Sequence, residues 1–333
     1  MPKNKKANKN QAANKSGTAA NPSNRNPNNN NKQPPIKNPL LKAQNTFLQS
    51  LPTKLRKNFF SNTQTDPSTR AEVWTQQADL GEDLVNKYAW ATPDERCMKI
   101  LQYFGDKNGI AEIGCGSNAY WSRMMKKCGV NVMAYDFSLG DGGKITDGEK
   151  AGDSKSSKKK RKRGPEQNSK TFDDGFVIHR GGPEVLNQKK LLNRVLFLCY
   201  PDEDVMEEST KNDDNSESMG AACLEHFKGD TVIHVGELYG DTPSMDQAPW
   251  GRSSGPVFQQ RLASEFHCIL RAKLKNWLHV NDTISVWKRT ELCSIVFQGE
   301  DDDESDDEVE YRHIPEEQIL PSDLAAPCAR HLL

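Results

Sequence analysis

Gly109-Ile-Ala-Glu-Ile-Gly-Cys-Gly-Ser-Asn-Ala-Tyr-Trp-Ser-Arg-Met-Met-Lys-Lys-Cys-Gly-Val-Asn-Val-Met-Ala-Tyr-Asp136 is the stretch whose reading decides the fold. Gly109 to Ile113 reads as an apolar strand that runs into Glu112-Ile113-Gly114-Cys115-Gly116. Tyr120, Trp121, Met124, Met125 and Cys128 then recur at helical spacing, with Ser117 near the start and Gly129 as a stop. Val130 to Tyr135 alternates as a second strand and closes on Asp136. A strand-helix-strand unit with glycines at its first turn predicts a nucleotide-cofactor pocket. The glycines let the backbone approach a ligand closely, and an acid about 20 residues on can hold ribose hydroxyls.

Spacing leaves two kinds of cofactor open. Gly114-x-Gly116-x-x-Ala119 satisfies the dinucleotide fingerprint, with Asp136 placed for NAD. Glu112 argues the other way. A carboxylate two residues before the first glycine would face a pyrophosphate, and two like charges about 4 Å apart cost roughly 4 kcal/mol at an effective dielectric of about 20. S-adenosylmethionine (SAM) has no phosphate; it carries an ammonium and a sulfonium, so a nearby glutamate favours it.

Glu112-x-Gly114-x-Gly116 with Asp136 closing the second strand resembles motifs I and II of the class I, Rossmann-like SAM-dependent methyltransferases. Further pieces resemble an uncharacterised eukaryotic group within that superfamily. They are Tyr88-Ala89-Trp90-Ala91-x-Pro93, Leu198-Cys199-Tyr200-Pro201, and Gly229-Asp230-Thr231-Val232 running to Val235-Gly236-Glu237. The likeness covers about Arg70 to Arg289. It implies a three-layer α/β sandwich whose seven-stranded, mostly parallel sheet ends in an antiparallel hairpin, with SAM as cofactor and an unidentified methyl acceptor.

The ends of the chain differ from its middle. Only 35% of the residues are hydrophobic, too few for all 333 to share a core. Residues 1–65 contain no acid and are dominated by Asn, Lys, Gln and Pro, which predicts a disordered basic tail. Such an arm suits either an anionic partner or plain solubility. Residues 291–333 carry the acidic block Glu300 to Glu308 and are expected to be mostly disordered. The folded domain is then 66–290, interrupted by polar insertions at about 138–174 and 202–217. Within the first insertion, Lys158-Lys-Lys-Arg-Lys-Arg163 has the form of a nuclear localisation signal for an import receptor, weighed against a merely solvated loop. No apolar run reaches the roughly 18 residues that span a bilayer, and no signal-peptide core is present. The expectation is an intracellular protein, nuclear or cytoplasmic, with no membrane contact. Eight cysteines without a Cys-x-x-Cys pair predict reduced thiols, and seven scattered histidines predict no metal site.

Between these segments the pattern continues. Helices are expected over about Ala71 to Tyr103, broken at Pro93, and over Pro183 to Leu192, Gly220 to Phe227 and Val257 to Phe266. Strands are expected at Gly175 to His179, Arg194 to Tyr200, Thr231 to Val235, and in a last hairpin of His267 to Trp277 with Thr283 to Lys288. On this fold the ligand lies beyond the carboxyl ends of the strands at the switch point. The resemblance then assigns the cofactor to Glu112, Gly114, Cys115, Gly116, Asp136, Gly181, Cys199 and Tyr200, with Tyr200 and Glu237 as the candidates for a catalytic role. Tyr88, Trp90, Tyr120 and Trp121 either line the site or pack the core. The tip Cys199-Tyr200-Pro201-Asp202 departs from the Asn/Asp-Pro-Pro-aromatic motif of many amino-nitrogen methyltransferases, which puts that acceptor class in doubt. A catalytically silent methyltransferase-like scaffold, and behind it an NAD(P)-dependent oxidoreductase, are the alternative readings.

Overall fold

Ile110–Ile113 (β1) is buried at all four positions, as a strand covered on both faces must be. It lies at the centre of the sheet in the computed structural model, which describes residues 36–139, 169–202, 218–297 and 307–333. β1 pairs in parallel with Val132–Asp136 (β2) on one side and with Val195–Cys199 (β5) on the other. With Ser169–Thr171 (β3), Val177–Arg180 (β4), Thr231–Gly236 (β6), Phe266–Lys273 (β7) and Thr283–Arg289 (β8), the order is β3-β4-β2-β1-β5-β6-β8-β7. Strands β4, β2, β1, β5 and β6 are parallel; β3, β8 and β7 run against their neighbours. The sheet has eight strands where the sequence predicts seven. The extra one, β3, lies at the end of the first polar insertion. Its three residues are all exposed, so it pairs by backbone alone and leaves no hydrophobic signature.

Alternate residues of the central strands point to opposite cores. Ile110, Phe197 and Ile233 face the cluster built on Glu95–Gly105 (α4) and Tyr120–Lys127 (α5), while Ala111, Leu196 and Val232 face that of Met219–His226 (α6) and Pro256–Glu265 (α7). The result is an α/β architecture with helices on both faces of a mostly parallel sheet, the arrangement of Rossmann-like folds. The helix expected over Pro183 to Leu192 is only a short 3-10 turn, Pro183–Asn187.

Two terminal segments contradict the compositional reading. Residues 36–65, expected within the disordered tail, contain helices Pro39–Ser50 (α1) and Thr53–Lys57 (α2). Asn38 caps α1 through Leu41 N at 2.9 Å and also reaches the Pro93 carbonyl at 2.7 Å. Leu40 is 1% exposed inside the main core, and Leu51 and Phe59 pack with Val73 of Pro67–Lys87 (α3). A few well-placed apolar residues suffice to dock this segment, and averaging over 65 residues hides them. At the other end, Glu291–Phe297 (β9) and Asp307–His313 (β10) form a separate two-stranded sheet, although their acidic neighbourhood predicts no structure. Beyond it Ala326 N donates to Ile269 O at 3.0 Å, and Ala326 and Ala329 join the core, small residues that pack closely yet contribute little to hydropathy. Residues 1–35, Lys158–Arg163 and 203–217 lie outside the described residues. Among the described residues no helix is long and apolar enough to cross a membrane.

Leu40→Ala removes a fully buried side chain from a segment that composition would discard. It should destabilise the full-length protein by about 3 kcal/mol, measured as a lower midpoint in urea unfolding. No change would mean that α1 does not dock.

Candidate functional site

The strand order reverses between β1 and β5, and the cleft opens there, at the carboxyl ends of the strands. It has a volume of about 730 Å³. The loop after β1 is fixed by its backbone. Gly114 N and Cys115 N both donate to the Tyr135 carbonyl, at 2.9 and 3.1 Å, and Gly116 N donates to Asp136 Oδ2 at 2.7 Å. This path puts Gly114 and Gly116 at φ of 73° and 69°, a left-handed conformation that glycine adopts without a Cβ penalty. At Gly116 a Cβ would meet nothing within 4 Å, so the backbone there lies open to a ligand in the cleft.

Glu112 and Asp136 are both buried, at 2% and 7% exposure, and both line the cleft. Glu112 Oε2 accepts from Ser122 Oγ, on the first turn of α5. Burial pushes the Glu112 carboxyl up to about 7, against the lowering effect of the Ser122 bonds and with a smaller push from Asp136. An acid held this way is stabilised by an incoming cation. Asp136 Oδ1 accepts from Ser138 N at 2.9 Å and from Ser138 Oγ, so three of its roughly four acceptor positions are taken by the loop. One position on Oδ2 is left for a donor such as a ribose hydroxyl.

The tip of β5 supplies the opposite wall. Cys199, Tyr200, Pro201 and Asp202 all line the cleft. Tyr200 stands at φ of 54°, uncommon for a bulky residue, and two bonds hold it there: Tyr200 N to Val235 O at 3.1 Å, and its hydroxyl to Asp282 Oδ1 at 2.8 Å. Burial pushes the Asp282 carboxyl up to about 7, opposed by the Tyr200 bond and raised further by Glu237. The Tyr200 hydroxyl is pushed well up by burial and by Asp282. The Trp90 ring lies nearly parallel to Tyr200, at 11° with centroids 6.0 Å apart, and the Arg252 guanidinium sits 4.9 Å from the Trp90 centroid.

Of the residues expected at the site, Glu112, Gly114, Cys115, Gly116, Asp136, Cys199 and Tyr200 come together around one cleft. Gly181 does not line it; it sits at the tip of β4, against Tyr135 and Val185. Glu237 is fully buried outside the cleft, where Oε1 accepts from Asn281 N at 2.8 Å, and among the described residues no hydrogen-bond partner reaches Oε2. The aromatics divide. Tyr88 and Trp90 line the cleft, while Trp121 is also 2% exposed core, bonded to the Ala91 carbonyl and packed on Phe197. Tyr120 bonds Asn38 and carries α1 against the cleft wall, and burial pushes its hydroxyl up to about 12. Sequence reasoning missed Asp202, Arg252 and Asp282. Asp202 directly follows the Leu198 to Pro201 motif but has no local signal of its burial, while Arg252 and Asp282 lie in loops far from the motifs and reach Trp90 and Tyr200 only in the tertiary structure. Among the described residues no group of three or more His, Cys, Asp or Glu side chains could hold a metal. No family model matches this chain, and no curated protein matches it.

The raised Glu112 carboxyl has a definite sign in stability. Below about 4.5 both the folded and unfolded chains are protonated there. Between about 4.5 and 7 the unfolded chain ionises first, so stability falls as pH rises; above about 7 the loss is constant at roughly 3 kcal/mol. Glu112→Gln should flatten that part of the melting-temperature profile between pH 5 and 8, leaving the Asp282 contribution. An unchanged profile would place the burden elsewhere.

Proposed function

We propose that this protein is a SAM-dependent methyltransferase. The observation that carries the reading is the buried Glu112 carboxylate beside an open, left-handed glycine backbone at the switch point of the sheet. That pocket disfavours a pyrophosphate and favours a cationic ligand. The antiparallel pair β8 and β7 at the end of the sheet adds to the likeness with the superfamily.

The residues fit the cofactor by charge and by shape. Glu112 would meet the ammonium of the methionine part, the Gly114 to Gly116 backbone would lie along it, and Asp136 would accept from ribose. Cys199 and Tyr200 would close the side nearest the acceptor. SAM, when bound, supplies an electrophilic methyl group on a positively charged sulfur. The protein's task is then to hold an acceptor close in a desolvated cleft, for which no acid-base pair is required. A binding protein without transferase activity is the second reading, favoured by the three acceptor positions on Asp136 that its own loop consumes.

Calorimetric titration of the full-length protein with SAM, S-adenosylhomocysteine and NAD separates these. We expect micromolar binding of the two SAM species and none of NAD. Affinity for SAM should rise between pH 6 and 8, because ionised Glu112 is the form that pairs with an ammonium, and binding near pH 7 should release a proton. Asp136→Ala should weaken SAM roughly tenfold or more, the effect of one lost hydrogen bond to a charged group. NAD binding alone would restore the oxidoreductase reading, and no binding at all the scaffold.

A further inference from the structure

A second cavity, of about 290 Å³, adjoins the first. Val85, Asn86, Trp90 and Tyr200 line both, so one wall serves the two. The rest of the smaller cavity includes Trp277, Arg252, His279 and the α3 residues Ala78, Gly81 and Glu82. Burial, followed by the charge of Arg252, pushes the His279 ring down to about 4, so it is neutral at physiological pH. Of the two side-chain amides here, Gln77 is already spent on the Leu278 N–H and the His279 ring, which leaves Asn86 to meet a polar group.

Gly81 is the telling position. The buried stripe of α3 runs Val73, Gln77, Leu84, and Gly81 falls on it, four residues after Gln77 and three before Leu84. An inward-facing helical position is ordinarily filled by a side chain in contact with its neighbours. A Cβ at Gly81 would instead meet nothing within 4 Å. The helix keeps a gap in its inward face, at a residue that weakens it relative to alanine.

The chemistry of the lining narrows what fills that gap. Trp90, Tyr200 and Trp277 offer ring faces and edges, and a flat unsaturated group packs on these better than a saturated one. Arg252 and Glu82 bring opposite charges to the lining, so neither sign of ligand charge is selected, and a neutral ring enters without the desolvation cost of an ammonium. The volume suits one or two fused rings. We propose that this cavity is the methyl-acceptor site and that its acceptor is a small flat aromatic of one or two rings bearing a hydroxyl or a ring N–H. The proposal rests on the SAM reading given above. A lone pair on the acceptor oxygen or nitrogen forms the new bond to the methyl carbon. The sulfur–carbon bond breaks with its electron pair retained by sulfur, and the acceptor's proton leaves to water.

The test uses full-length protein with 2-naphthol as probe, read by quenching of tryptophan fluorescence, and cyclohexanol and benzylamine as comparators. Gly81→Phe and Gly81→Leu fill the gap on an unstrained helical backbone, so their melting temperatures should equal or exceed the wild type. Expected are saturable quenching by 2-naphthol, comparators weaker by about tenfold or more, and loss of 2-naphthol binding in both variants with SAM affinity unchanged. Labelled SAM should then methylate 2-naphthol with the wild type and not with the variants. Equal 2-naphthol binding in stable Gly81 variants, or cyclohexanol or benzylamine binding as tightly, overturns the proposal. So does methylation of proteins in a lysate that both variants leave unaltered. SAM binding without 2-naphthol binding overturns this proposal alone. Binding of 2-naphthol without SAM overturns the SAM reading and leaves an aromatic site of another use.

Discussion

The tie between the loop after β1 and the tip of β2 is the constraint on which the cleft depends. Three backbone N–H groups, of Gly114, Cys115 and Gly116, end on Tyr135 O and Asp136 Oδ2. Each such bond contributes only about 1 kcal/mol net, but left unmade in a buried site it costs more. They force the chain into two left-handed residues and aim α5 back over the sheet, with Ala119 also left-handed at its start. Because β1 and β2 are locked in parallel register, the loop has no freedom to slide. Glu112 inherits its burial from that geometry, and its electrostatics follow from its burial.

The other side of the cleft depends on residues far apart in sequence. Tyr200 is bonded to Asp282, and the loop that carries Asp282 is held by helices from the beginning of the chain. Gln44 of α1 donates to Lys275 O at 3.1 Å, and Gln77 of α3 accepts from Leu278 N at 3.0 Å. Both glutamines are almost fully buried. A polar side chain so placed depends on the partners it has: Gln44 Nε2 meets Lys275 O while its Oε1 has no hydrogen-bond partner among the described residues, and Gln77 meets both Leu278 N and the His279 ring. The N-terminal helices therefore do more than cover a core. They set the position of the cleft wall that carries Tyr200.

Most of the frame was legible in the sequence, because it rests on periodicity. β1, α5 and β2, the buried run Val195–Cys199 and the closing hairpin all advertise themselves through apolar spacing and glycine punctuation. Motif spacing likewise placed seven of the eight expected cofactor residues in one cleft. Gly181 does not line the cleft; the space beside its Cα is filled by Val185 and Tyr135. What composition concealed was structure made with few apolar residues: β3 by backbone pairing, α1 by Leu40 and two amides, the C-terminal segment by alanines. Glu237, a catalytic candidate from its place at a strand end, is closed over by the fold, with Asn281 as its partner. Burial of that kind is a property of the folded chain and has no local signal.

Asp202 holds three separate parts of the molecule with one carboxylate. Oδ1 accepts from Ser218 Oγ and Gly220 N, both at 2.9 Å, and Oδ2 from Gly255 N at 2.9 Å. These donors belong to the starts of α6 and α7, so a single anion caps the approach to both helices. The bond to Ser218 also fastens together the two ends of residues 203–217. With Asp202 and Ser218 bonded to each other, the sheet, the cleft and both helix starts keep their places whatever the chain length between them, which makes this point a natural joint for grafting new surface onto an unchanged frame.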